Sequence, residues 1–196
     1  MISTTLPQSR VSLNLSRPIY LCKELGLNTS TTNENSLDSY VFEEFKKWGL
    51  VPFSKTLFPV NKNLALYPNE KLTQAIIKSF FFGFNSFFFS LDEDFGKPSK
   101  EKLDASSLAI RMGYPGQLGR SSLNAFVVGE LEKIGLAPNQ GRLGAIGLGI
   151  GLNIGDGGVY PVNNPIVKRI IREFFEDVNS LGFNSEVERY AIRISA

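Results

Sequence analysis

The clearest chemical pattern in the chain lies between Gly147 and Gly155, where Gly147, Gly149 and Gly151 alternate with Leu148, Ile150 and Leu152. That spacing has the period of a strand, with one aliphatic face and one nearly bare face. A bare face lets a ligand or another protein element approach the backbone closely. If Leu108–Tyr114 and Val187–Ile194 are also strands, Arg111, Arg189 and Arg193 project opposite their aliphatic neighbours and edge that surface with guanidinium groups. Such a surface suits phosphate backbones or stacked bases, although it lacks the strand aromatics of single-stranded RNA platforms. Solvated surface charge is the plainer explanation.

A second cationic group falls in the helix expected after Asn164-Pro165. Lys168, Arg169 and Arg172 come first and Glu173, Glu176 and Asp177 follow, the reverse of the order that the helix dipole favours. Four-spaced pairing of Arg169 with Glu173 and of Arg172 with Glu176 explains the order structurally. An anion held at the helix start, shared with the turn Gly155-Asp156-Gly157-Gly158, explains it functionally.

Other chemistry is excluded by what the chain lacks. It contains no histidine, so imidazole general bases and imidazole zinc ligands are ruled out. The spacing G-x-G-x-x-G fails at Leu152 or Ile154, and neither a P-loop nor a G-x-S-x-G elbow occurs. Asp94-Phe95-Gly96 copies a kinase triplet, but the catalytic-loop histidine, the glycine loop and the length for two lobes are missing. Asp92 and Asp94 then read as a solvated acidic turn. The single cysteine, Cys22, lies in the apolar run from Ile19 and reads as a buried structural thiol. No catalytic residue, metal or cofactor is assigned on this basis.

The elements that must position these groups follow from periodicity and punctuation. Residues 1–10 read as a polar arm and 11–196 as one globular domain, with a sub-lobe boundary near 92–104. Val11, Leu13 and Leu15 alternate as a strand. A helix capped by Ser36 or Asp38 ends at Gly49, and another starts after Pro68 with Asn69 as its cap. The block from Phe80 to Phe89 is ambiguous between helix and strand, and its phenylalanines must be buried on more than one side or meet a partner. Phe80, Phe81, Phe84, Phe87 and Phe88 are the candidate interface. Beyond it, the strand ending at Tyr114, a helix from Ser121 or Ser122 to Ile134, the glycine strand, the helix from Pro165 and a last strand give the order β-α-β-α-β. No internal repeat of fixed period is visible.

The expected class is α+β, or a small α/β sheet, with a ferredoxin-like C-terminal half and an irregular phenylalanine-rich N-terminal lobe. The expected function is a non-catalytic assembly subunit of a multi-subunit complex, partnered by other protein subunits. One alternative is a nucleic-acid or polyanion binding module using Arg111, Arg189, Arg193, Lys168, Arg169 and the glycine face. Another is an enzyme acting on a phosphorylated small molecule. A net charge of +2 sets no long-range field, no stretch is long and apolar enough to span a membrane, and the expected compartment is the cytoplasm.

Overall fold

Gly49 and Gly135 both follow a helix and precede the same short phrase, Leu50-Val51-Pro52 in one case and Leu136-Ala137-Pro138 in the other. Both glycines adopt the left-handed backbone that closes a helix, with φ of 74° and 76°. In the computed structural model, which describes residues 14–53, 61–83, 96–115, 120–139 and 158–180, these two helix ends are the pivot of the fold.

Chain order is β1 (Leu15–Ser16), α1 (Pro18–Glu24), α2 (Glu34–Lys47), β2 (Leu50–Pro52), β3 (Tyr67–Pro68) and α3 (Lys71–Phe82). It continues as β4 (Lys102–Asp104), α4 (Ala105–Arg111), α5 (Arg120–Lys133), β5 (Leu136–Pro138), β6 (Val159–Pro161) and α6 (Pro165–Ser180). Among the described residues the order βααββα therefore runs twice. The helices α1 and α4 have 7 residues each, and α2 and α5 have 14 each. Within each half the outer strands pair antiparallel, β1 with β3 and β4 with β6, and each pair places a buried tyrosine, Tyr67 or Tyr160, before a proline. Helix packing repeats as well: α1 on α2 and α3, α2 on α3, and correspondingly α4 on α5 and α6, α5 on α6.

The remaining strands, β2 and β5, join the halves. Their antiparallel register sets Leu50 against Pro138, Val51 against Ala137 and Pro52 against Leu136. Each residue of one phrase thus faces the reciprocal residue of the other, the signature of a two-fold contact. Flanking bonds repeat the symmetry: Phe53 N donates to Gly135 O and Asn139 N to Gly49 O, both at 2.7 Å. The described residues form a pseudo-symmetric pair of βααββα units around one core that includes Phe45, Trp48, Leu50, Tyr67, Ile76, Val127, Leu136, Tyr160 and Ile171.

Sequence equivalence is strongest between α3 and α6, where Ile76-Ile77-Lys78-Ser79-Phe80-Phe81 matches Ile170-Ile171-Arg172-Glu173-Phe174-Phe175. Leu21-Cys22 of α1 and Leu108-Ala109 of α4 are likewise buried at matching positions. The connection between β5 and β6 is longer than that between β2 and β3, so the offset between equivalent residues changes along the chain. That drift is why no repeat of fixed period is visible in the sequence.

A mixed α+β class is confirmed, and several element assignments change. Leu108–Tyr114 is not a strand; α4 occupies Ala105–Arg111, started by Asp104, whose Oδ1 accepts from Ser107 N at 2.7 Å. The alternation of Leu108, Ile110 and Met112 misleads because Leu108 and Ala109 are buried while Ile110 is exposed, a helical face. The cap of α2 is Asn33 rather than Ser36 or Asp38, and the cap position of α3 is Glu70 rather than Asn69. Phe80–Phe82 complete α3 as helix. Among the described residues the strands form three separate two-stranded pairs, and no single sheet of ferredoxin-like order is present. The arm, the strand residues Val11 and Leu13, the glycine strand with Gly147, Gly149 and Gly151, and the last strand with Arg189 and Arg193 lie outside the described residues. No described helix is long and apolar enough to cross a membrane.

Candidate functional site

Helix α6 begins with Asn163-Asn164-Pro165. Asn164 is fully buried; its Oδ1 accepts from Val167 N at 3.0 Å and its Nδ2 donates to Trp48 O at 2.6 Å. The one side chain therefore caps α6 and satisfies a carbonyl at the end of α2. Asn163 ties the preceding turn down, accepting from Ser99 N at 2.8 Å and donating to Lys97 O at 2.9 Å. Proline at the first helical position forfeits no hydrogen bond.

The start of α3 is built differently. Glu70 occupies its cap position without capping it. Its carboxylate instead receives a two-pronged bond from Arg169 of α6, Nη1 to Oε2 at 2.7 Å and Nη2 to Oε1 at 3.1 Å. This fork holds the two equivalent helix starts side by side. Between them lies a cleft of about 550 Å³, lined by Asn69, Glu70, Lys71, Leu72 and Gln74 from one half and Asn163, Pro165, Ile166, Lys168, Arg169 and Arg172 from the other. With Leu72 aligned on Ile166, the lining residues form equivalent pairs: Asn69 with Asn163, Leu72 with Ile166, Gln74 with Lys168.

The electrostatics of the cleft are one-sided. Its carboxylate, Glu70, is neutralised by Arg169, which also lies 3.5 Å from Glu173. Lys71 and Arg172 are exposed and Lys168 is half-buried, and none of the three has an ion-pair partner among the described residues. The four-spaced pair expected between Arg172 and Glu176 does not form. The cations at the start of α6, opposed to the helix dipole, thus front an open cleft. Donors of this kind bind and orient an anion through charge-assisted hydrogen bonds.

Of the residues singled out in the sequence, Lys168 and Arg169 come together here. Arg111 ends α4 and pairs with Glu101, so its expected place on a strand face is overturned. Phe80 packs edge-on to Tyr40 with ring centroids 5.3 Å apart and to Phe81 at 5.4 Å, and both phenylalanines are partly buried against the core. Phe84, Phe87 and Phe88 lie outside the described residues. Of the anion turn, Gly158 is described: a Cβ there would stand 2.3 Å from Pro138 Cβ, so this glycine permits strand packing. Arg172, read in the sequence as part of the cationic start of α6, also lines the cleft, whereas Asn69, Lys71 and Gln74 carried no site signal there. The repeated Ile-Ile-Lys/Arg-x-Phe-Phe phrase is the signal that would have paired their helices.

Among the described residues no group of three or more acidic or cysteine side chains could hold a metal. The Cys22 thiol is buried away from the cleft lining and pushed up to about 11 by desolvation. Burial also raises Tyr67 and Tyr160. Comparison with known proteins finds no matching family model, no curated protein of significant similarity and no solved structure of matching fold.

Proposed function

We propose that the protein is a binding module for a phosphate-bearing anion, held in the cleft between the starts of α3 and α6. The observation that carries this reading is the set of three cations, Lys71, Lys168 and Arg172, around one concavity whose carboxylate is already neutralised by Arg169. A cleft of this size accommodates a small ligand or one unit of a polymer. The reading keeps the anion-binding alternative raised from the sequence and moves it from a glycine face to a helix-lined cleft.

The test is calorimetric titration of pyrophosphate into the full chain and into a Lys168→Gln, Arg172→Gln double variant. The parent should bind at low salt and weaken as salt rises, and the double variant should bind on the order of tenfold or more weakly. No binding by the parent at low salt, or equal binding by both proteins, overturns the reading.

A second reading, assembly with other protein subunits, draws on Phe82, which leaves 66% of its surface exposed at the end of α3. An exposed phenylalanine next to the phenylalanine-rich segment suits a protein contact. Light scattering over a concentration series should show self-association that Phe82→Ser weakens. A monomer at every concentration removes the homo-oligomeric form of this reading.

A further inference from the structure

The duplicated architecture gives the cleft two equivalent walls, and those walls have diverged. Resting on the anion-binding reading above, we infer that the ligand is a phosphomonoester of a hydroxyl-bearing small molecule, its phosphate against Lys168 and Arg172 of α6 and its neutral part against Gln74 of α3. Sugar phosphates and mononucleotides share this chemistry.

Position 74 and position 168 are the same place in the two halves, and both line the cleft. One carries a neutral amide and the other an ammonium group. The α6 wall holds Lys168, Arg169 and Arg172, whereas the α3 wall holds a single cation, Lys71, beside the carboxylate of Glu70. A ligand charged along its whole length would be matched by two cationic walls. This cleft matches one that is charged at one end and neutral at the other.

The Gln74 part of the α3 wall is also ordered. Gln74 Nε2 donates to Asn69 Oδ1 at 2.8 Å, and Asn69 Nδ2 donates to Glu24 Oε2 at 3.0 Å. This relay takes one hydrogen of the Gln74 amide nitrogen and leaves its carbonyl oxygen as an acceptor with no partner among the described residues. An acceptor so placed takes a hydroxyl hydrogen. The buried pair Leu72 and Ile166, 1% and 3% exposed, gives an apolar floor beneath the ligand body.

The test compares inorganic phosphate, ribose 5-phosphate and a short single-stranded oligonucleotide by calorimetry on the full chain. Ribose 5-phosphate should bind on the order of tenfold tighter than inorganic phosphate. Gln74→Met, which keeps the length of the side chain and removes the acceptor, should erase that advantage, so that ribose 5-phosphate and inorganic phosphate bind the variant equally. Lys168→Gln should weaken both ligands together. Equal affinity for phosphate and ribose 5-phosphate, or an advantage that survives Gln74→Met, overturns the inference while a Lys168-dependent phosphate site keeps the broader reading. Tighter binding of the oligonucleotide than of ribose 5-phosphate overturns it in favour of a polymer. Absence of any phosphate binding overturns both.

Discussion

Asp38 sits inside α2 with its carboxylate buried, held by Arg17 Nη2 at 2.8 Å, and Glu34 reaches the same nitrogen at 3.4 Å. Desolvation raises its pKa, opposed by Arg17 and assisted by the charge of Glu34. The folded protein therefore binds this proton more tightly than the unfolded chain, so the contribution of Asp38 to stability is largest in acid and falls as pH rises through the folded pKa. Urea unfolding across the acid range should show the parent losing stability relative to Asp38→Asn as pH climbs. A constant difference between the two would contradict the assignment. Cys22 makes a second test. Its thiol is fully buried and desolvation pushes it up to about 11, so the folded protein should resist a disulfide reagent at pH 8 that labels the denatured chain at once. Cys22→Ala should cost only about 1 kcal/mol, because alanine already fills the equivalent place at Ala109. The cysteine was legible from its apolar neighbours. The Arg17–Asp38 pair was not, since nothing in residue type links positions so far apart in the chain.

Among the elements, glycine position separates packing from propensity. A Cβ on Gly49 would come within 2.9 Å of Val159 O and 3.2 Å of Pro161 Cδ, at a φ of 74°. Gly49→Ala should cost about 1–3 kcal/mol from the left-handed backbone alone, and the contact with β6 adds to it. Gly129, inside α5, has no atom within 4 Å of such a Cβ, so Gly129→Ala should stabilise by ~0.5–1 kcal/mol. Thermal unfolding of both variants measures the contrast, and similar effects from the two would refute it. Helix ends marked by a glycine between apolar residues were readable along the sequence, as at Gly49-Leu50 and Gly135-Leu136. The identity of α4 was not, because its short apolar pattern fits periods of 2 and 3.6 nearly as well. A capping bond from Asp104 and the burial of Leu108 beside Ala109 resolved it.

For the molecule as a whole, the β2–β5 pair and the Arg169–Glu70 fork cross from one half to the other, and Trp48 and Tyr160 share the common core. The halves should unfold together. Fluorescence of the single tryptophan and far-UV circular dichroism should trace one coincident transition in urea. Two separate transitions would mean that the pseudo-symmetric contact contributes little to stability. The cleft belongs to this level as well, since α3 and α6 each contribute one wall and neither wall is a site alone.

The sequence by itself determined the mixed class of fold, the glycine ends of α2 and α5, the buried thiol and the cationic start of α6. These depend on residues close together in the chain, where hydrophobic period, glycine and proline act locally. Tertiary structure alone decided that the described residues form two βααββα units around a pseudo-two-fold contact, and that Lys168 and Arg172 face Lys71 and Gln74 across one cleft. Unequal connections hid the repeat by shifting its offset. The cleft depends on two helix starts held together by the Arg169–Glu70 fork, a contact between residues 99 apart that no local window contains.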